Sequence, residues 1–358
     1  MEKIICVILC GLIILSGCNK EITNVVDSSA SDGITNTGSS VSSTEKAENT
    51  DTDFFGASYV AQALNHWTGN LVANEKYIFY TTKNKIIRLE RDTQELKTIL
   101  NFDRDKISED LYMYVDKTHL YYIENETTVY KMDFDGGNRE KVVSKDILEQ
   151  AGYKIPNIRE IKIYKGELYI HTWIYNYLIR YKPENGKTEL IATGAYSGDF
   201  CDNSFFYVDE NKRCIYRVDL DTKKEKIIRK DADKGVEGFI YSDILCVKEK
   251  LYYVRRDKRQ IYCYSQDGKD KIVGEGMKYR SLIAGIDDIL YYSCYKEETY
   301  DANLPIYLGS YDGNTNSILL LLPDDFYEPA IIVGNTFYYA TSHGDDDDTD
   351  NYYKKCSW

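Results

Sequence analysis

Five aspartates crowd six positions near the end of the chain: Asp345, Asp346, Asp347, Asp348 and Asp350. Ca²⁺ takes six to eight oxygen ligands, so Asp345, Asp346, Asp348 and Asp350 are the candidate set for it. The spacing is not that of an EF-hand loop, because no Gly falls within the run. A run of like charge is more commonly a solvated loop, and on that reading no cofactor is expected. A second group has the opposite sign: Arg255, Arg256, Lys258 and Arg259. It suits an anionic polysaccharide or a carboxylate patch on a protein, and equally a soluble hairpin tip. A third group is aromatic. His171, Trp173, Tyr175 and Tyr177 alternate along the chain, which puts the last three on one side of a strand or loop. Such a shelf stacks on sugar rings, or else fills the space between packed sheets.

Signatures of catalysis are scarce. No G-x-S-x-G elbow and no H-E-x-x-H pair occurs, and the four histidines, His66, His119, His171 and His343, are far apart. No glycine-rich phosphate loop is present. A carboxylate pair for glycoside hydrolysis remains open, because acidic residues abound and their geometry is invisible at this level. The net charge of −13 argues against binding nucleic acid or an anionic membrane surface, both of which call for basic faces.

The elements that must carry these residues begin with a leader. Lys3 is followed by an apolar run from Ile4 to Leu15 and then by Ser16, Gly17 and Cys18. The run is shorter than the roughly 20 residues a membrane-spanning helix needs, and has the length of a signal-peptide core. Leu15-Ser16-Gly17-Cys18 resembles the bacterial lipobox. The resemblance implies cleavage after residue 17, lipid on Cys18, and a mature protein held at the outer side of the cytoplasmic membrane. Residues 18–52, rich in Ser, Thr, Asn and Asp, hold too little apolar surface to fold and read as a tether. It would reach roughly 30 Å as a random coil. Abundant Ile, Lys, Asn and Tyr point to an AT-rich, Firmicute-like source.

From residue 53 to 358 the chain repeats itself. An apolar-aromatic-Tyr core recurs at Ile78-Phe79-Tyr80, Leu120-Tyr121-Tyr122, Leu168-Tyr169-Ile170, Phe205-Phe206-Tyr207, Leu251-Tyr252-Tyr253, Leu290-Tyr291-Tyr292 and Phe337-Tyr338-Tyr339, at intervals of 37 to 48 residues. Each copy carries four short strand patterns. Turn dipeptides such as Asp135-Gly136, Asn185-Gly186 and Asp312-Gly313 stand between the third and fourth. Four strands at this period are a propeller blade. The expectation is an all-β, seven-bladed β-propeller of four-stranded antiparallel blades. The last copy lacks a strand, and Phe54 to Leu64 is expected to supply it as an N-terminal closing strand. Six cysteines lie in this region: Cys201, Cys214, Cys246, Cys263, Cys294 and Cys356. An even number outside the cell invites disulfides, but most sit inside apolar strand patterns, where buried free thiols are expected.

These repeats resemble the YWTD-type propellers of lipoprotein receptors, and more closely a bacterial family of lipoproteins built from such repeats. Phe206-Tyr207-Val208-Asp209 and Tyr121-Tyr122-Ile123-Glu124 match the motif with an acidic fourth residue. The other copies depart from it, as at Tyr252-Tyr253-Val254-Arg255. The resemblance covers about residues 70 to 342 and speaks to fold, not activity.

Strand order decides which loops share a face. The turns joining second to third strands lie with the blade-to-blade connections, and this set holds the long loops, among them Ser144 to Asn157 and Lys230 to Ser242. One-sided lengthening points to function on that face. The expected ligand face holds Trp173, Tyr175, Arg255, Arg256 and Arg259. The reading is a monomeric, non-catalytic binding module at the cell surface, with a protein or glycan ligand. The alternative is an extracytoplasmic polysaccharide-active enzyme using a carboxylate pair at the central channel.

Overall fold

The computed structural model describes residues 71–82, 85–102, 111–154, 157–231, 240–267, 269–274, 278–295, 305–322, 326–333, 335–341 and 353–357. Cys18, the tether, the Phe54–Leu64 segment and Asp345 to Asp350 lie outside these residues. Among the described residues no helix is long and apolar enough to cross a membrane.

The chain forms successive antiparallel meanders. The first sheet holds β1 (Leu71–Ala73), β2 (Tyr77–Thr82), β3 (Lys85–Glu90) and β4 (Leu96–Asn101). The second holds β5 (Met113–Val115), β6 (His119–Glu124), β7 (Thr128–Asp133) and β8 (Glu140–Ser144), followed by the short helix α1 (Lys145–Gln150). The third holds β9 (Ile158–Tyr164), β10 (Glu167–Thr172), β11 (Leu178–Lys182) and β12 (Lys187–Ala192), and the fourth β13 (Ser197–Cys201), β14 (Ser204–Asp209), β15 (Cys214–Asp219) and β16 (Glu225–Lys230). The fifth holds β17 (Tyr241–Val247), β18 (Lys250–Arg255), β19 (Gln260–Cys263) and β20 (Lys271–Val273), and the sixth β21 (Lys278–Ile286), β22 (Ile289–Tyr295), β23 (Tyr307–Tyr311) and β24 (Asn316–Leu321). The last has β25 (Phe326–Val333), β26 (Thr336–Thr341) and β27 (Tyr353–Ser357).

This is an all-β propeller of four-stranded antiparallel blades. The expected seven complete blades are corrected to six, with a further sheet of three strands. After β26 the described chain offers only Tyr353–Ser357 to extend that sheet. Its β25 nevertheless packs on β1, and Ile331 and Tyr338 share a buried cluster with Leu71, Ile78 and Tyr80 of the first sheet.

Burial falls from first strand to fourth. All five residues of β13 and all six of β14 are buried, whereas β16 is half-buried or exposed throughout. The recurring tyrosines follow from this gradient. In three repeats the third core residue faces a tyrosine one strand out: Tyr122 stacks on Tyr130, Tyr207 on Tyr216 and Tyr253 on Tyr262, with centroids 5.1 to 5.5 Å apart. These are directly opposed cross-strand pairs, the unit of sheet stabilisation. The hydroxyl then reaches a polar group near the fourth strand. Tyr207 donates to Glu225 at 2.6 Å and Tyr292 to Asn316 at 3.1 Å, and Tyr253 donates to Asp270. A large buried ring is thereby accommodated without an unsatisfied hydroxyl.

Side chains stitch neighbouring sheets together. Asp199 of β13 pairs with Lys162 of β9 and accepts the backbone N–H of Cys246 in β17 at 2.8 Å, so one carboxylate ties three first strands. The two acidic residues of the YWTD-like copies act within their own blades: Glu124 pairs with Arg139 and Asp209 with Lys212, both at 2.8 Å. Cys201, Cys214, Cys246 and Cys263 carry free thiols, all buried except half-buried Cys263, and Cys294 is buried too. Burial pushes the Cys246 thiol well above its ordinary value, with the Cys201 thiol beside it.

Candidate functional site

The turns joining second to third strands begin at Trp173, Glu210 and Arg256, at the end of the blades where β9, β13 and β17 start. β9 opens with Ile158-Arg159-Glu160-Ile161-Lys162, a first strand carrying three charges, all three buried. Arg159 is 1% exposed, and its guanidinium lies 4.2 Å from the Trp173 ring centroid and 5.7 Å from that of Tyr196. Cation–π contact from both rings offsets part of the cost of desolvating that charge. Glu160 adds an oxygen 3.9 Å from the Arg159 Nε.

The Trp173 turn is built under strain. β10 ends at Thr172 and β11 starts at Leu178, so of the strand or loop expected to carry the shelf the loop is present, at Trp173–Tyr177. The Tyr175 N–H donates to the Trp173 carbonyl at 2.8 Å across Ile174, whose φ is +67°. A β-branched residue in this region is a true outlier, because its Cβ crowds the backbone. The turn is pinned on both flanks. Trp173 N–H donates to the Asn157 carbonyl, Gly194 N–H to that of Tyr175 and Ala195 N–H to that of Asn176. The result is a raised apolar tip: Trp173 is 37% exposed, Ile174 72% and Tyr175 40%. Tyr175 stacks on Tyr177, centroids 5.4 Å apart.

Beneath the tip, His171 Nε2 donates to the Ala195 carbonyl at 2.6 Å, joining the third blade to the fourth. That bond places the proton on Nε2. Nδ1 stands 3.6 Å from Glu160 Oε2, and neither atom has a hydrogen-bond partner. Ser197 Oγ and Glu210 Oε1 are likewise buried without one.

Glu210 heads the turn after β14. Burial pushes its carboxyl up to about 7, against the pull of Arg256 and Arg159 and with a further push from Asp209. Tyr196 feels the same neighbours. Burial raises its hydroxyl most, the Glu210 and Asp243 charges raise it further, and Arg159 and Arg256 lower it. Asp243 in turn accepts the hydroxyl of Tyr279 from the sixth sheet. The mouth of the blades thus carries a band running from Trp173 through Arg159, Tyr196 and Glu210 to Arg256 and Asp243.

Of the residues expected on this face, Trp173 and Arg256 belong to the band, and Tyr175 flanks it. Arg255 points to other partners, donating to Asp257 from Nε at 3.0 Å and from Nη2 at 2.6 Å, with Asp231 3.4 Å away. Arg259 holds the far corner of its turn at φ +49° and accepts from the Tyr279 N–H through its carbonyl. The Asp345–Asp350 run lies outside the described residues. Among those described, no group of three or more His, Cys, Asp or Glu side chains is arranged to hold a metal ion. Arg159, Tyr196 and Glu210 were not singled out by sequence. The signal for Arg159 was the row of charges in a first strand whose place in the repeat demands burial.

A concavity of about 460 Å³ lies between the fourth and fifth blades at the opposite turns, lined by Asp202, Arg217, Lys226, Glu249 and Gln266 among others. Its Arg217 donates to Ser204 at 2.8 Å. None of its lining residues carries a buried polar atom lacking a partner.

No family model matches the chain, and no curated protein matches it. Many solved structures share the fold. The virginiamycin B lyase from Staphylococcus aureus superposes with a TM-score of 0.51 at 14% identity, over 78% of this chain and 94% of the lyase. YCF48 bound to D1 peptide gives 0.53 at 9% identity, over 78% and 91%. A chain of the mitotic checkpoint complex gives 0.53 at 10%, over 80% and 91%. Likeness at this level of identity establishes the propeller fold alone.

Proposed function

We propose that this chain is a lipid-anchored, extracytoplasmic β-propeller that acts as a non-catalytic binding module, presenting the Trp173–Arg256 band to a protein or glycan ligand. Its YWTD-like repeats make six four-stranded blades, followed by a further sheet of three strands. The observation that carries the reading is the Trp173 turn. A strained backbone at Ile174 holds three large apolar side chains in water, and strain of that kind persists where function demands it. The charged band beside the turn gives a ligand both an apolar and a polar footing. Lipid on Cys18 would place this face outside the cell, and the tether would let it clear the membrane.

The test is a pull-down on isolated cell-wall and membrane material with the full chain and with the double variant Trp173→Ala/Arg256→Ala. Capture is expected to fall at least tenfold in the variant. Undiminished capture means that the ligand face lies elsewhere. Cys18→Ser is expected to move the protein from the membrane fraction to the soluble one.

One observation favours the enzymatic reading. Glu210, raised to about 7, has the protonation behaviour of a general acid. Release of reducing ends from polysaccharide, abolished by Glu210→Gln, would establish that reading over the first.

A further inference from the structure

The band carries more than a docking surface. Trp173 has one face covered by the Arg159 guanidinium and remains 37% exposed. Tyr175, braced by Tyr177, stands two residues away across the same turn. Such rings lose little conformational freedom when a ligand settles on them, because the pinned turn has already fixed them. One blade on, Glu210 Oε1 is a buried acceptor with no hydrogen-bond partner, and a blade further Arg256, whose charge acts on Glu210, is an exposed donor. Buried polar atoms without partners are rare in folded proteins, and each one calls for an explanation.

The chemistry narrows the ligand. An aromatic platform suits the flat, C–H-lined face of a pyranose ring. A carboxyl acceptor and a guanidinium donor on neighbouring blades suit hydroxyl groups, which donate and accept at once. An anionic ligand would meet Glu210 and Asp243 as well as the arginines. A purely apolar one would strip water from the exposed Arg256 guanidinium and the exposed part of Glu210 without replacing its hydrogen bonds. Platform, carboxyl and guanidinium lie on three successive blades, so the ligand that engages them all is a chain of sugars.

We propose that the face is an oligosaccharide site, with one pyranose stacked on Trp173 and Tyr175 and a following unit hydrogen-bonded to Glu210 and Arg256. This rests on the reading of the band as a binding face and assigns its ligand class.

The experiment titrates the full chain with maltotetraose, cellotetraose and chitotetraose, and with the matching monosaccharides. The readouts are calorimetry and tryptophan emission. At least one tetrasaccharide is expected to bind, at least tenfold more tightly than its monosaccharide. Trp173→Ala is expected to weaken it more than tenfold, Trp173→Phe to keep most of the affinity, and Glu210→Ala to weaken it about fivefold to tenfold. Circular dichroism verifies that each variant is folded, and Lys226→Ala in the opposite concavity serves as a control with unchanged affinity. If no tetrasaccharide binds, the oligosaccharide assignment is overturned. The binding face itself then stands or falls separately, by whether capture of wall or membrane material still depends on Trp173 and Arg256. If a tetrasaccharide binds but Trp173→Ala and Glu210→Ala leave its affinity unchanged, the sugar site lies elsewhere and the assignment fails for this face.

Discussion

Glu210 is a carboxyl that the fold keeps from ionising until near neutrality, and its replacement by Gln gives a quantitative test of the mouth's electrostatics. Burial moves it from an ordinary 4.5 to about 7, with Arg256 of the β18–β19 turn and Arg159 of β9 pulling it down and Asp209 of β14 pushing it up. At full weight that displacement corresponds to about 3 kcal/mol. Glu210 keeps part of its surface in water, and screening cuts the figure to about 1–2 kcal/mol. The sign follows from proton counting. Between pH 4.5 and 7 the folded chain holds a proton that the unfolded chain releases, so this group's contribution to stability falls as pH rises through that window. Below the window nothing is lost; above it the full cost of burying the charge applies. Glu210→Gln removes the titration while keeping the shape. Urea unfolding of both proteins at pH 5, 6, 7 and 8 should give near-equal stabilities at pH 5. At pH 8 the variant should be more stable by about 1–2 kcal/mol. Taking the difference between the two proteins cancels the groups they share. A difference that stays flat across this range, or that favours the wild type at pH 8, refutes the argument that Glu210 is held in a desolvated site.

Two further substitutions probe the frame around the mouth. Lys162→Met leaves the Asp199 carboxylate buried without its cation, although the N–H groups of Phe200 and Cys246 still donate to it; a loss of about 3 kcal/mol is expected, and a shift in urea midpoint worth less than about 1 kcal/mol would show that the pair does not join the blades. Ile174→Asn places a residue tolerant of positive φ where a β-branched one is strained, at the cost of little packing because Ile174 is exposed; a gain of about 1 kcal/mol in thermal unfolding is expected, and a loss would show that the Ile side chain is held by contacts that repay its strain.

Blade repetition was legible because it is a local property. Alternating apolar residues, a Tyr-rich second strand and Gly-containing turns each act within a few residues, and Gly136, Gly186 and Gly313 do take the positive φ that their turns require. The face carrying Trp173 and Arg256 followed from strand order alone, since every meander repeats the same up-and-down path. The shelf geometry was read less well. Alternation places Trp173, Tyr175 and Tyr177 on one side of a strand or loop, but carries no sign that the chain turns at Ile174 against its own steric preference. The hydrogen bonds that hold it there come from Asn157, Gly194 and Ala195, outside the turn itself.

The amino-acid sequence by itself determined the repeating blade, the order of its strands and the face on which unusual side chains would gather. Each of these depends on interactions within one repeat. Tertiary structure alone decided how those side chains meet. Arg159, Trp173, Tyr196, Glu210 and Arg256 come from three blades and are separated by up to 97 positions. Only the packing of β9, β13 and β17 at neighbouring places brings them into one band. The same packing strips Glu210 of water and turns an ordinary carboxyl into one that ionises near neutrality. Desolvation depends on what surrounds a group in space, and no spacing along the chain encodes it.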